Sequence, residues 1–280
     1  AGVRCFVRSR AVQSLYTNMT YSFLTKLINT SLNADVESLS ESGVTIKQVE
    51  ILASLQHSDL FKLSKIYQLI DIYVDVPLLD KAISLAKNGV RSYGDVENMD
   101  ITHKFLSQLS TLSADEHERL TLTSKFDLPP EKVKQLAAMN LHDTLAISRT
   151  GIVWYEITAN EHKLPMALEF ILETKRETEA INQLIIKDAS WPMFLALTGM
   201  QRSVFQEMRK TLNAPKTLGG PPRRLTDMEE VVAWNAWKES AGKNPLERCL
   251  AVSQMLNDIA LRHIWPTLSE WMDKEANTQI

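Results

Sequence analysis

Apolar residues recur at helical spacing along most of this chain, and only two short segments alternate in the way strands do. Residues 11–40 place Leu15, Met19, Phe23, Leu27 and Ile28 on one face of an amphipathic helix. Residues 103–122 read as helix with Phe105, Leu106, Leu109 and Leu112 on one side, and a further helical stretch runs from Pro165 through Lys187. The alternating segments are Asp71–Asp75 (DIYVD) and Trp154–Thr158 (WYEIT), both read as β-strands. Lys87–Asp100 carries two glycines and little periodicity, and reads as a linker. The pattern predicts a mainly α protein with small β pieces.

The pattern also repeats. Val44–Ser64 (VTIKQVEILASLQHSDLFKLS) lies over Leu128–Ser148 (LPPEKVKQLAAMNLHDTLAIS) without a gap, at an offset of 84 residues. Val49 meets Val133, Leu52 meets Leu136, Ala53 meets Ala137, Asp59 meets Asp143 and Ser64 meets Ser148. Each copy reads as a short helix, a break at Gln56–Ser58 or Asn140–His142, and a second short helix capped by Asp59 or Asp143. A strand follows in both. Duplication explains this register better than chance resemblance between amphipathic helices. Two copies are too few for a solenoid, so a pseudo-symmetric pair or two separate small domains is expected.

The sharpest local signal is Ser190–Leu212, SWPMFLALTGMQRSVFQEMRKTL. A DNA-reading helix-turn-helix needs two helices joined by a tight turn, with glycine where φ is positive. Gly199 occupies that position, and Phe194, Met200, Phe205 and Met208 fall where the two helices pack together. Ser190 is placed to cap the first helix, Pro192 sits in its first turn, and Gln201 starts the second helix. Leu195 and Thr198 depart from the pattern, which favours a small and an apolar residue at those positions. The outward side chains of the second helix, Gln201, Arg202, Ser203, Gln206, Arg209 and Lys210, are types that bond base edges and phosphates. The plain alternative is a helical hairpin packed into a core.

Charge changes the picture locally. The whole chain has a net charge of −3, so it exerts no global attraction on a polyanion. Between Lys187 and Arg224, however, seven basic residues stand against Asp188 and Glu207, a balance of +5 that leaves −8 for the remainder. That island includes Lys216, Arg223 and Arg224 in the Pro/Gly-rich stretch Ala214–Leu225 (APKTLGGPPRRL). Prolines keep such a stretch extended, which suits an arm laying arginines along phosphates or into a minor groove. A solvated loop is the alternative for this piece.

Composition excludes more than it assigns. With 44% hydrophobic and 23% charged residues, wholesale disorder is not expected. Cys5 and Cys249 exclude a disulfide framework and a four-thiolate zinc site built from this chain alone. No apolar run approaches a membrane span and the first ten residues make a poor signal peptide, so a cytoplasmic protein without membrane contact is expected. The six histidines are scattered, and Asp115–Glu118 (DEHE) reads as the charged start of a helix. No phosphate loop, nucleophile elbow or zinc-protease motif occurs, so no catalytic residue, metal or cofactor is expected and the chain reads as a non-enzyme.

Gln135–Thr158 resembles the C-terminal part of FlhD, one half of the bacterial flagellar master regulator. Thr178–Ala241, with its turn, arm and AWNAW stretch, resembles the start of FlhC, the other half. The resemblance covers about residues 120–241 and extends to fused relatives on integrative conjugative elements and genomic islands. It implies tandem FlhD-like helical units at 1–90 and 91–172 and an FlhC-like helix-turn-helix domain with a helical extension at 173–280. It further implies a transcriptional activator that binds double-stranded DNA, works as a homo- or hetero-oligomer and engages RNA polymerase. A replication or partition role on the same kind of element, and a helical adaptor that binds no DNA, are the alternatives. FlhC carries a cysteine cluster for zinc, and with only Cys249 in this half the zinc is not carried over.

Overall fold

A computed structural model describes residues 9–32, 41–92, 95–215 and 221–278. Fourteen helices and two strands are described, and the protein is mainly α. The chain divides into two compact units, residues 1–171 and 172–280. In order, the first carries α1 (Arg10–Leu32), α2 (Ile46–Ala53), α3 (His57–Ser64), β1 (Ile70–Val74), α4 (Val76–Lys87), α5 (Val96–Ala114), α6 (Glu116–Phe126), α7 (Pro130–Ala137), α8 (Leu141–Ser148) and β2 (Tyr155–Ala159). Helix α9 (Lys163–Ile186) spans the boundary, and α10 (Trp191–Thr198), α11 (Arg202–Thr211), α12 (Asp227–Glu239), α13 (Pro245–Met255) and α14 (Leu261–Thr278) complete the second.

The duplication reaches further than the sequence match. Helices α2 and α3 recur as α7 and α8 with both ends displaced by 84 residues. Before them, the buried residues Leu15, Tyr16, Met19, Thr20 and Phe23 of α1 have counterparts 86 residues later in Ile101, Thr102, Phe105, Leu106 and Leu109 of α5. After the strands, Leu79, Ala82 and Ile83 of α4 recur as Leu164, Ala167 and Leu168 at the start of α9. Each copy therefore contains a long helix, two short helices, a strand and a further helix, and the second copy also carries α6 between its long and short helices.

The copies meet across a local two-fold. Strands β1 and β2 pair antiparallel, with Ile70 opposite Ala159, Ile72 opposite Ile157 and Val74 opposite Tyr155. Ile72 and Ile157 are repeat equivalents as well as partners, so the pseudo-axis passes between them. The long helices α1 and α5 pack against each other, and each also packs against the two short helices of its own copy. Neither copy closes its apolar face alone. Between them they bury Leu15, Met19, Leu24, Leu52, Leu63, Phe105, Leu109 and Leu136 almost completely. Trp154 stacks on Phe105 with ring centroids 5.3 Å apart. At roughly 1.5–3 kcal/mol per buried side chain, this joint core offsets much of the ordering of the two copies.

Local details depart from expectation at several points. Asp59 and Asp143 do not cap the second short helices. Asn140 is the cap, and Asp143 sits at the third helical position, completing a reciprocal pair of bonds with it. Gln56 precedes α3 without a side-chain bond, and Asp59 is again third. The strands run one residue earlier (Ile70–Val74) and one later (Tyr155–Ala159) than the alternation indicates. The linker is shorter than Lys87–Asp100, because Asp95 caps a helix already begun at Val96. Residues 103–122 are two helices, broken at Asp115, which caps the second.

The second unit packs its own core around Trp237, Phe194, Leu184, Cys249, Val252, Leu261, Ile264 and Leu268, all buried. Trp237 is tied by its ring N–H to Glu275 Oε1 at 2.9 Å, and Arg248 lies 3.5 Å above the same ring. Arg248 also forks onto both Glu275 oxygens at 2.7 and 3.0 Å, which holds the Glu275 carboxyl below its usual range.

Candidate nucleic-acid interface

The segment after α9 is shaped by three residues in left-handed backbone. Asp188 (φ 61°) reverses the chain ahead of α10, Gly199 (φ 69°) ends α10, and Asn213 (φ 49°) follows α11. A Cβ at Gly199 would meet nothing within 4 Å, so glycine is needed there for its φ alone. Ser190 stands at the cap position of α10 with Pro192 in the first turn, but its side chain makes no capping bond. Thr198 folds back instead, donating to Phe194 O at 2.8 Å and accepting from Met200 N–H at 3.2 Å. That local bonding explains why a polar residue is tolerated in the turn.

Two ring contacts bring α10 and α11 together. Phe194 and Phe205 are buried with centroids 5.3 Å apart, and Met200 and Met208 pack at their margin. Leu195, by contrast, is 47% exposed and does not stand between the helices. Trp191 donates from its ring nitrogen to Met200 O at 3.2 Å, fastening the start of α10 to the turn. The Arg202 guanidinium lies 5.7 Å from the centroid of the same indole.

Of the ten residues of α11 only Phe205 is buried. Gln201, Arg202, Ser203, Gln206 and Lys210 are exposed, and the spacing of 202, 206 and 210 sets three of them along one side. None of Gln201, Ser203, Gln206 and Lys210 makes a side-chain hydrogen bond or ion pair with a described residue. Arg209 stands apart from this face. It pairs with Asp188 at 3.2 Å, donates to Pro215 O and crosses the Phe205 ring, with its side chain only 15% exposed. Asp188 also meets Arg262 of α14 at 3.3 Å, so one carboxylate ties the turn before α10 to α11 and to α14. Lys187 is likewise engaged, donating to Ser253 O and Asn257 Oδ1 at 3.0 and 2.6 Å.

Lys216 lies outside the described residues, as do Gly219 and Gly220 of the arm. The arm's far end is fastened at Arg223. Its backbone N–H donates to His263 Nδ1 at 2.9 Å, and its guanidinium forks onto Glu229 with two bonds of 2.8 Å. These bonds, with one from Thr226 N–H, press the Glu229 carboxyl down to about 2. Partial burial and the Arg262 and Arg223 charges lower the His263 pKa, which keeps its ring nitrogen an acceptor. Arg224 is exposed and makes no side-chain pair with a described residue. The structure thus brings Arg202, Ser203, Gln206 and Lys210 together on α11 with Gln201 at its cap position, and engages Arg209 and Arg223 within the protein.

No group of three or more His, Cys, Asp or Glu residues placed to hold a metal ion occurs among the described residues. Cys249 is buried, and burial pushes its thiol up to about 12. No described helix is long and apolar enough to cross a membrane. Sequence reading missed the parts played by Trp191, Asp188, Glu229 and His263. Asp188 entered it only as a charge, and the partners of all four are set by tertiary packing. A family model described as "Protein of unknown function (DUF2857)" matches residues 102–274. No curated protein and no solved structure matches the chain.

Proposed function

The chain belongs to the DUF2857 family of proteins of unknown function, and from that premise we propose that it is a sequence-specific reader of double-stranded DNA. The observation that carries this is α11, which buries one residue and turns Arg202, Gln206 and Lys210 outward beside a glycine turn. In this reading α10 and α11 form a helix-turn-helix whose second helix enters the major groove. Arg202 and Gln206 bond base edges, and Lys210 and Arg224 hold phosphates. Arg223 has a different part: it anchors the arm to Glu229 and His263 so that Arg224 is presented from a fixed point.

The resemblance to the FlhD and FlhC pair extends the proposal to a transcriptional activator of a mobile element that works as a multimer with RNA polymerase. The paired copies of the first unit then serve as FlhD-like association units. No catalytic role enters the proposal.

The test is fluorescence anisotropy of the full chain with a labelled mixed-sequence duplex between 50 and 200 mM salt. Two phosphate-facing cations, Lys210 and Arg224, give log K against log salt a slope of about −2. A second reading, a helical adaptor, draws on α12, where Met228 (76%), Val231 (57%) and Val232 (38%) are exposed opposite a buried face of Ala233, Ala236 and Trp237. An adaptor shows no DNA binding anywhere in that salt range.

A further inference from the structure

Trp191 stands beside the exposed arginine that opens α11. A free arginine at the first position of a helix samples many rotamers, and ordering it on a base costs about 2 kcal/mol of side-chain entropy. Here the Arg202 guanidinium lies within cation–π reach of the Trp191 indole, 5.7 Å from the ring centroid. The ring itself is held: its N–H donates to Met200 O at 3.2 Å, and its body packs at the margin of the second unit's core. A fixed indole thus stands between the core and the cation at the entry of the outward helix. Lys210, at the other end of α11, has no comparable platform among the described residues.

We propose that Trp191 is a positioning residue that preorganises Arg202 to bond a guanine in the major groove through its O6 and N7 acceptors. This rests on the DNA-reading proposal above and adds which group sets specificity at one base pair. A planar guanidinium docked on an indole keeps its outer N–H fork free for a bidentate acceptor pair, which guanine alone offers in that groove. Loss of the platform lowers discrimination at that pair, because the arginine is then ordered only on contact.

The experiment uses the full chain and the duplex that it selects from a random pool, with each base pair substituted in turn. In wild type, replacing the G·C pair read by Arg202 lowers affinity about tenfold or more. Trp191→Leu reduces that ratio to about threefold, and Trp191→Phe, which keeps a ring face but not the N–H, falls between. In an Arg202→Ala background, Trp191→Leu leaves the ratio where Arg202→Ala put it. A second readout needs no DNA: the Arg202 Nε–H resonance of the free protein is shifted upfield by the indole, and Trp191→Leu abolishes the shift. Melting curves of each variant separate folding from positioning. If Trp191→Leu weakens all duplexes by one common factor, or leaves the ratio at its wild-type value, Trp191 only packs and the inference fails. If wild type selects no duplex at all, the DNA-reading proposal fails and takes this one with it.

Discussion

Replacing Asp188 with asparagine removes one charge and almost nothing else. Asparagine has nearly the same volume and tolerates the left-handed backbone that Asp188 adopts at φ 61°, so no strain is introduced. What is lost is the carboxylate shared by Arg209 at 3.2 Å and Arg262 at 3.3 Å. The three side chains are 14%, 15% and 17% exposed, which places the cluster between a surface pair and a sealed one. Exposed pairs contribute about 0.2–1 kcal/mol, and stranding a buried partner costs about 3–5. A loss of about 2 kcal/mol follows, since both arginines keep some access to water and Arg209 keeps its bond to Pro215 O. For a unit of residues 172–280 that is a fall in melting temperature of roughly 10 °C. Tryptophan fluorescence during thermal or urea unfolding reads it, because of the six tryptophans only Trp154 lies outside this unit. Asp258→Asn, an exposed position in the same unit, makes the same charge change and should move stability by less than about 0.5 kcal/mol. If Asp188→Asn and Asp258→Asn unfold together, the carboxylate does not hold α11 in place and the positioning argument is wrong.

Further outcomes follow from the same contacts. Lys210→Gln combined with Arg224→Gln should flatten the salt dependence of DNA binding by about 2, whereas Arg223→Gln should leave the slope nearly unchanged and release the arm's fork on Glu229. An equal loss of slope in Arg223→Gln would place that guanidinium on phosphate after all. In a Cys5→Ser chain, Cys249 should fail to react with a thiol reagent at pH 8 until denaturant is added, because burial lifts its pKa to about 12; labelling of the folded protein at a free-thiol rate would contradict its burial. Glu229 has a folded pKa depressed to about 2, so its bonds to Arg223 and Thr226 contribute fully above about 4.5 and are lost as pH falls through about 2. A carboxyl resonance of Glu229 with a midpoint near 4.5 would show the fork to be open in solution.

The regular parts of this protein were legible because they depend on local pattern. Val49, Leu52, Val133 and Leu136 face the core in both copies at one register, and an unbroken register is visible in a sequence. The full extent of the duplication was not, because Tyr16 and Thr102, or Thr20 and Leu106, occupy equivalent buried places with unlike chemistry. Burial had been kept while side-chain identity drifted. At the candidate interface the turn at Gly199 and the buried Phe194 and Phe205 follow from spacing, and so does the exposed side of α11. Which cations remain available does not. Arg209 and Arg223 looked like Lys210 and Arg224 in the sequence, yet Asp188 and Glu229 claim the first two. Those pairings join α11 to the turn before α10 and the arm to the first turn of α12, and only the fold brings them within reach.

The most direct test of the central proposal is selection of duplexes from a random pool by the full chain, run in parallel with Arg202→Ala. The account predicts an enriched motif for wild type, and the same motif for Arg202→Ala with one G·C position gone degenerate. No enrichment over the starting pool, or a motif indifferent to Arg202, would contradict it.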